Sequence, residues 1–149
     1  MKRAIVIYDT KFGNTEKIAK ALARGMREQV VEVDCIRVEE AEIDKLAEYD
    51  LLAIGGPTHI RGKSKPMKDF IQKLRRVDLR NKKSFAFDTK FRSWIAGSAA
   101  KGIEKDLKRL GMSIVKPYSS AIVKGTEGPL EDGMEEMFKQ IGAEIASSI

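Results

Sequence analysis

The sequence has only one cysteine, Cys35, so a disulfide within the chain is excluded. Such cysteine usage is typical of the reducing cytoplasm, where disulfides are rare. Proline is also scarce, with 4 residues, while hydrophobic residues make up 42% of the composition and charged residues 34%. This composition predicts a folded chain, and 149 residues suffice for one hydrophobic core. We expect a single domain over residues 1–149.

No apolar run reaches the roughly 20 residues that a membrane-spanning helix needs. Among the longest are residues 4–8 and 51–54. Positive charge at Lys2 and Arg3 precedes the first run, but that run ends at Asp9 and is too short for the core of a signal peptide. The sequence therefore predicts a buried first strand, no membrane span and a cytoplasmic location.

The sequence also lacks the phosphate-binding motifs of two large nucleotide-binding classes. It contains no GxxxxGK[ST] segment, and no GxGxxG follows a predicted strand. Histidine occurs once, as His59, and no set of carboxylates suggests a metal site. We predict neither a metal ligand nor a catalytic acid, base or nucleophile.

The net charge of +6 is concentrated in one third of the chain. Residues 61–110 contain 16 Lys and Arg against 5 Asp and Glu, whereas the other residues contain 12 against 17. Solvated helix faces and loops are the favoured explanation. The alternative is a basic surface that faces an acidic partner or an anionic substrate. Nucleic-acid binding is not predicted, because no recognition motif accompanies the charge.

Apolar runs alternate with helical patterns along the whole chain. Strands are predicted at 3–8, 31–36, 51–54 and 84–88, with a fifth strand that Pro117 splits into 112–115 and 121–123. Helices are predicted at 15–28, 40–48, 66–74, 103–110 and 130–147. This alternation predicts a three-layer, doubly wound α/β fold with helices on both faces of a parallel sheet. Ligands bind such sheets outside the carboxyl ends of the strands.

The turn after the first strand suits an anion. Its residues, TKFGNT at 10–15, lead directly into a predicted helix. Backbone N–H groups and the positive end of the helix dipole would meet there. Thr10, Asn14 and Thr15 can add hydrogen bonds, and Gly13 lets the backbone approach a ligand closely. An ordinary helix cap is the alternative. Without the lysine of a triphosphate loop, the turn suits a phosphate monoester.

This turn resembles the T-x-T-G-N-T phosphate loop of the flavodoxin family, with Phe12 in place of the second threonine. The resemblance covers essentially the whole chain. It implies a five-stranded sheet in the order 2-1-3-4-5 and a cofactor, flavin mononucleotide (FMN). The phosphate site it implies consists of Thr10, Lys11, Phe12, Gly13, Asn14 and Thr15.

Two further segments resemble the loops that hold the flavin ring in this family. After the third strand, GGPTHIRG at 55–62 has His59 where many members have an aromatic residue. After the fourth strand, Phe91 and Trp94 are the candidates to stack on the ring, and the alternative for Trp94 is the core below the loop. The implied ring-site residues are Pro57, Thr58, His59, Ile60, Arg61, Gly62, Asp88, Thr89, Phe91, Arg92, Trp94, Gly97 and Ser98.

The resemblance implies an FMN-binding electron carrier, in which the protein binds the cofactor and tunes its potentials. An FMN-dependent reductase of a quinone or another small acceptor is the alternative. A regulatory module is a third reading, but a phosphoacceptor domain is excluded because Gly55, Gly56 and Pro57 follow the third strand in place of an aspartate. We expect redox proteins as partners, acidic ones in view of the basic segment, and we favour a monomer.

Overall fold

The computed structural model describes residues 2–29, 32–60 and 62–149, with the backbone alone of Trp94. The strands are β1 (Arg3–Tyr8), β2 (Glu32–Arg37), β3 (Leu51–His59), β4 (Gly62–Lys63), β5 (Lys83–Phe91), β6 (Ser113–Ile114) and β7 (Ser119–Val123). The helices are α1 (Asn14–Met26), α2 (Lys65–Leu74), α3 (Ala99–Arg109) and α4 (Met134–Ala146). Short 3₁₀ helices lie at Val38–Glu40, Ile43–Glu48 and Trp94–Ala96.

A parallel sheet forms the centre of the protein. Its strands lie in the order β2-β1-β3-β5-β6, and β7 pairs with β5 further along the same edge. β6 and β7 are the two parts of the fifth strand, on either side of Pro117 as predicted. The predicted fold class and the order 2-1-3-4-5 are therefore confirmed. The short strand β4 adds an antiparallel arm to the end of β3.

Helices cover both faces of this sheet. On one face, α1 and α4 bury apolar side chains such as Ile18, Leu22 and Phe138. On the other face, α2 and α3 bury Phe70 and Leu107 among others. Residues three or four apart lie on one side of a helix, so each helix presents an apolar face to the sheet and a charged face to water.

The helices α1 and α4 cross in close contact because each has a glycine at the crossing. A Cβ atom on Gly25 would lie 1.8 Å from the carbonyl oxygen of Lys139, and one on Gly142 would lie 2.1 Å from that of Leu22. Only glycine fits at either position. The crossing fixes α1, and with it the turn at 10–15, onto the rest of the protein.

Two segments in the first half of the chain differ from their predicted form. The sequence predicts the end of the third strand at residue 54, but β3 continues to His59 because Gly56 and Pro57 still pair with β5. The segment 40–48 forms part of two 3₁₀ helices instead of one α-helix.

The last helix begins at Met134, although the sequence predicts its start at residue 130. Leu130 instead forms a β-bridge with Val123. Gly133 then takes a φ of +85°, a left-handed conformation that interrupts any helix, immediately before α4. Val31, predicted to belong to the second strand, lies outside the described residues.

Candidate functional site

A cavity of about 410 Å³ lies at the carboxyl ends of β1, β3 and β5. This is the edge at which a doubly wound sheet binds its ligands, and the volume is that of a small-molecule site. The lining residues are Thr10, Lys11, Phe12, Asn14, Thr15, Pro57, Thr58, His59, Ile60, Thr89, Lys90, Phe91, Val123 and Thr126.

Threonine is confined to this cavity. The chain contains five threonines, at positions 10, 15, 58, 89 and 126, and all of them line it. The hydroxyl oxygens of Thr15 and Thr89 lie 2.8 Å apart in a buried hydrogen bond that joins α1 to the end of β5. Since a hydroxyl both donates and accepts hydrogen bonds, these threonines give the cavity uncharged polar groups.

The N-terminus of α1 opens into the cavity without a protein cap. Its first turn follows Gly13, whose φ of +93° favours glycine, and within the described residues no side chain caps it. The Gly13 N–H donates instead to the Thr10 hydroxyl, at 3.0 Å. By contrast, Ser64 and Ser98 cap α2 and α3. The uncapped N–H groups and the helix dipole make this end of the cavity suitable for an anion.

The hairpin of β3 and β4 forms a second wall. His59 pairs with Gly62, and Ile60 at its tip has a φ of +43° and is fully exposed. A β-branched residue rarely takes this left-handed conformation. An ion pair between Lys63 and Asp106 attaches the hairpin to α3. Gly62 is part of the hairpin but does not line the cavity, and Arg61 lies outside the described residues.

Asp88 and Ser98 lie below the cavity surface. Asp88 is fully buried, and its Oδ2 accepts hydrogen bonds from the hydroxyls of Thr58, at 3.2 Å, and Ser98, at 2.5 Å. It also accepts the Ala100 N–H at 3.0 Å. Its Oδ1 has no partner among the described residues. Asp88 therefore joins the second and third loops, and direct contact of Asp88 or Ser98 with a cofactor stays a prediction.

The loop after β5 supplies the third wall through Phe91, which lines the cavity and is 44% exposed. Arg92 instead forms an ion pair with Glu131 at 2.5 Å. Gly97, with a φ of +74°, ends the 3₁₀ helix that begins at Trp94. The side chain of Trp94 lies outside the described set, so its predicted stacking stays a prediction.

A network of charged side chains joins the ends of β1 and β2 to α1, next to the turn at 10–15. The Tyr8 hydroxyl donates to Glu16 at 3.2 Å, and Arg37 and Lys20 each lie 3.0 Å from the same carboxylate. Burial, followed by the negative charge of Glu16, raises the pKa of Tyr8 to about 12. The hydrogen bond from Lys20 lowers the pKa of Glu16. At neutral pH the tyrosine is therefore neutral and the glutamate is charged but compensated.

The predicted set of site residues omits three that line the cavity, namely Lys90, Val123 and Thr126. Lys90 lies between the predicted site residues Thr89 and Phe91 on β5. The sequence did not show that it would also be exposed to the cavity. Val123 ends β7, and Thr126 lies in the segment that follows, which matches no ligand-binding motif. The restricted use of threonine was the available signal, because the other four threonines fall in the predicted loops.

Over the described residues, no helix is long and apolar enough to cross a membrane, and no group of three potential ligands could hold a metal ion. The fold and the site define a doubly wound α/β protein with an uncapped helix N-terminus beside a partly apolar cavity.

Comparison with known proteins gives the family. The family model described as flavodoxin matches residues 6–141. A flavodoxin of Aquifex aeolicus is 41% identical over 71 residues, which are 47% of this chain and 38% of that protein. A structure of a flavodoxin from the domain Archaea superimposes with a TM-score of 0.86 at 27% identity, covering 98% of this chain and 97% of that one.

An NAD(P)H dehydrogenase (quinone) of Archaeoglobus fulgidus is 34% identical over 102 residues, 52% of this chain and 53% of that protein. The chain thus spans well under two thirds of the length of both curated relatives. The family match extends over most of the chain, however. The chain belongs to the flavodoxin family.

Proposed function

We propose that the protein binds FMN in this cavity and carries electrons between redox partners. The observation that carries the proposal is the uncapped N-terminus of α1, which opens into a cavity lined by threonine hydroxyls. Backbone N–H groups together with Thr10, Asn14 and Thr15 fit a phosphate monoester. The turn lacks the lysine with which a triphosphate loop binds further phosphate groups.

The other end of the cavity fits the flat ring. Pro57, Ile60 and Phe91 supply apolar or aromatic surface there. His59 lies between Pro57 and Ile60 in the second loop and also lines the cavity. An aromatic contact such as that of Phe91 stabilises a bound ring by about 0.5–1.5 kcal/mol beyond its buried area. FMN would supply the redox chemistry, and the protein would hold it, exclude water from its faces and set its potential.

An electron carrier is favoured over a substrate-reducing enzyme. Within the described residues, no carboxylate or thiol lines the cavity, and His59 is its one histidine. The named quinone-reducing relatives support an FMN-dependent reductase as the second candidate. Reductive titration of the FMN-loaded protein separates the two: a carrier should accept electrons in two resolved one-electron steps, and a quinone reductase in one two-electron step.

The cavity mouth suggests the chemistry of the partner. Phe12 and Phe91 are 45% and 44% exposed there, beside Lys11 and Lys90. Exposed apolar groups with adjacent cations suit a redox protein that presents acidic side chains around its own cofactor. We propose that this protein acts as a monomer in the cytoplasm.

The phosphate assignment is tested by fluorescence titration with FMN and with riboflavin, which differ only in the phosphate. We expect FMN to bind at least about tenfold more tightly, since a hydrogen bond to a charged group contributes about 1.5–3 kcal/mol. Equal affinities would show that the turn at 10–15 does not bind the phosphate.

A further inference from the structure

We propose that the segment 123–130 is a fourth wall of the cofactor site and that the Thr126 hydroxyl donates a hydrogen bond to the phosphate of the ligand. The inference rests on the proposed function, and it assigns a role to a residue outside the predicted set of site residues. Its starting point is the lining of the cavity, to which Val123 at the end of β7 and Thr126 beyond it both contribute.

Contact with the turn at 10–15 brings this segment to the phosphate end of the cavity. Gly128 has a φ of +103°, and a Cβ atom there would lie 2.8 Å from Oδ1 and 2.9 Å from Nδ2 of Asn14. Asn14 is only 9% exposed, so its amide is packed against the Gly128 backbone. Thr126, two residues earlier, therefore reaches the end of the cavity at which α1 begins.

Hydrogen bonds within the segment hold Thr126 at the tip of a closed turn. The Lys124 N–H donates to the Pro129 carbonyl at 2.8 Å, and the Gly128 N–H donates to the Gly125 carbonyl at 3.0 Å. A turn closed in this way presents its central side chains in a fixed direction. The backbone that carries Thr126 is thus held in position before a ligand binds.

A structural role does not account for threonine at this position. Thr126 is exposed, so its methyl group contributes little to the core. The side chains of Thr15 and Thr89, in contrast, are buried in a hydrogen bond with each other. A hydroxyl at the mouth of an anion site can donate to a phosphate oxygen, and hydrogen bonds to charged groups are the stronger ones.

The test compares Thr126→Val, which removes the hydroxyl at nearly constant shape, with Thr126→Ser, which keeps it. Affinities for FMN and riboflavin are measured by fluorescence titration, and thermal unfolding of the apoprotein checks the fold. We expect Thr126→Val to weaken FMN binding by about tenfold or more, with riboflavin binding and thermal stability unchanged. Thr126→Ser should bind FMN like the parent.

Two results overturn the inference. Unchanged FMN affinity in Thr126→Val would leave Thr126 without a ligand contact, and equal losses for both ligands would assign it to another part of the cavity. Failure of the proposed phosphate site is distinguishable, because then the parent protein itself would not prefer FMN to riboflavin.

Discussion

Replacing Lys90 by glutamine is expected to make the reduction potential of bound FMN more negative, because a positive charge beside the flavin favours its reduced, more negative state. Lys90 lines the cavity. The matched control is Lys83→Gln. Lys83 lies on the same strand as Lys90, is half-buried like Lys90 and carries the same charge. Lys83 lies at the start of β5 and Lys90 near its end.

The magnitude follows from Coulomb's law. A unit charge about 8 Å from the ring contributes roughly 0.5–2 kcal/mol at an effective dielectric constant of about 80–20, before salt screening. For a one-electron step this corresponds to about 20–90 mV. Lys83 lies seven residues earlier on the strand, about 23 Å away at roughly 3.3 Å per residue. That distance is more than two Debye lengths of about 8 Å at physiological ionic strength. The charge of Lys83 should therefore have no measurable effect on the reduction potential under these conditions.

Spectroelectrochemical titration of the FMN-loaded parent and both variants, at low and at high salt, provides the measurement. The Lys90→Gln shift should be negative and should shrink as salt is added, while Lys83→Gln should match the parent. Equal shifts in the two variants, or no shift in Lys90→Gln, would refute the assignment of Lys90 to the neighbourhood of the ring.

Two further predictions concern the helix crossing and the ring contact. Gly25→Ala should lower the free energy of unfolding by about 1–3 kcal/mol or more, because its Cβ would meet the Lys139 carbonyl. Urea unfolding checks this beside Gly62→Ala, where a Cβ meets nothing within 4 Å, and equal stabilities would contradict the close crossing. Phe91→Ala should weaken FMN and riboflavin binding alike, as judged by fluorescence titration, since both ligands share the ring. A loss confined to FMN would place Phe91 at the phosphate end.

The strands could be predicted because buried parallel strands leave continuous apolar runs in the sequence. Their order was implied only by the resemblance to the flavodoxin family. Helix ends were less predictable where a loop pairs with distant residues. Leu130 suits a helix by pattern, but its bridge to Val123 and the left-handed Gly133 delay α4 to Met134. Such competition is decided by tertiary contacts that a local pattern does not contain.

The three predicted loops do meet at one cavity, because the carboxyl ends of parallel strands share an edge of the sheet. The fourth segment was missed since its place depends on one contact between Asn14 and Gly128, which are far apart in the sequence. Ion pairing was also hidden: Lys63 pairs with Asp106 and Arg92 with Glu131, at separations of 43 and 39 residues. No count of charges along the chain anticipates these pairs.

Because of this ion pairing, the basic segment 61–110 contributes less positive field at the cavity than its number of cations indicates. Lys63, Lys65 and Arg92 belong to the basic segment but do not line the cavity, and each lies beside a carboxylate that offsets its field. Much of the remaining excess falls at the C-terminal ends of α2 and α3 and at the start of β5, where cations also stabilise the helix dipoles. That end lies about 26 Å from the carboxyl end of β5, beyond the range of screened charge. A partner that docks at the cavity therefore meets Lys11, Lys90 and the exposed apolar side chains, and the net charge of +6 overstates the field it encounters.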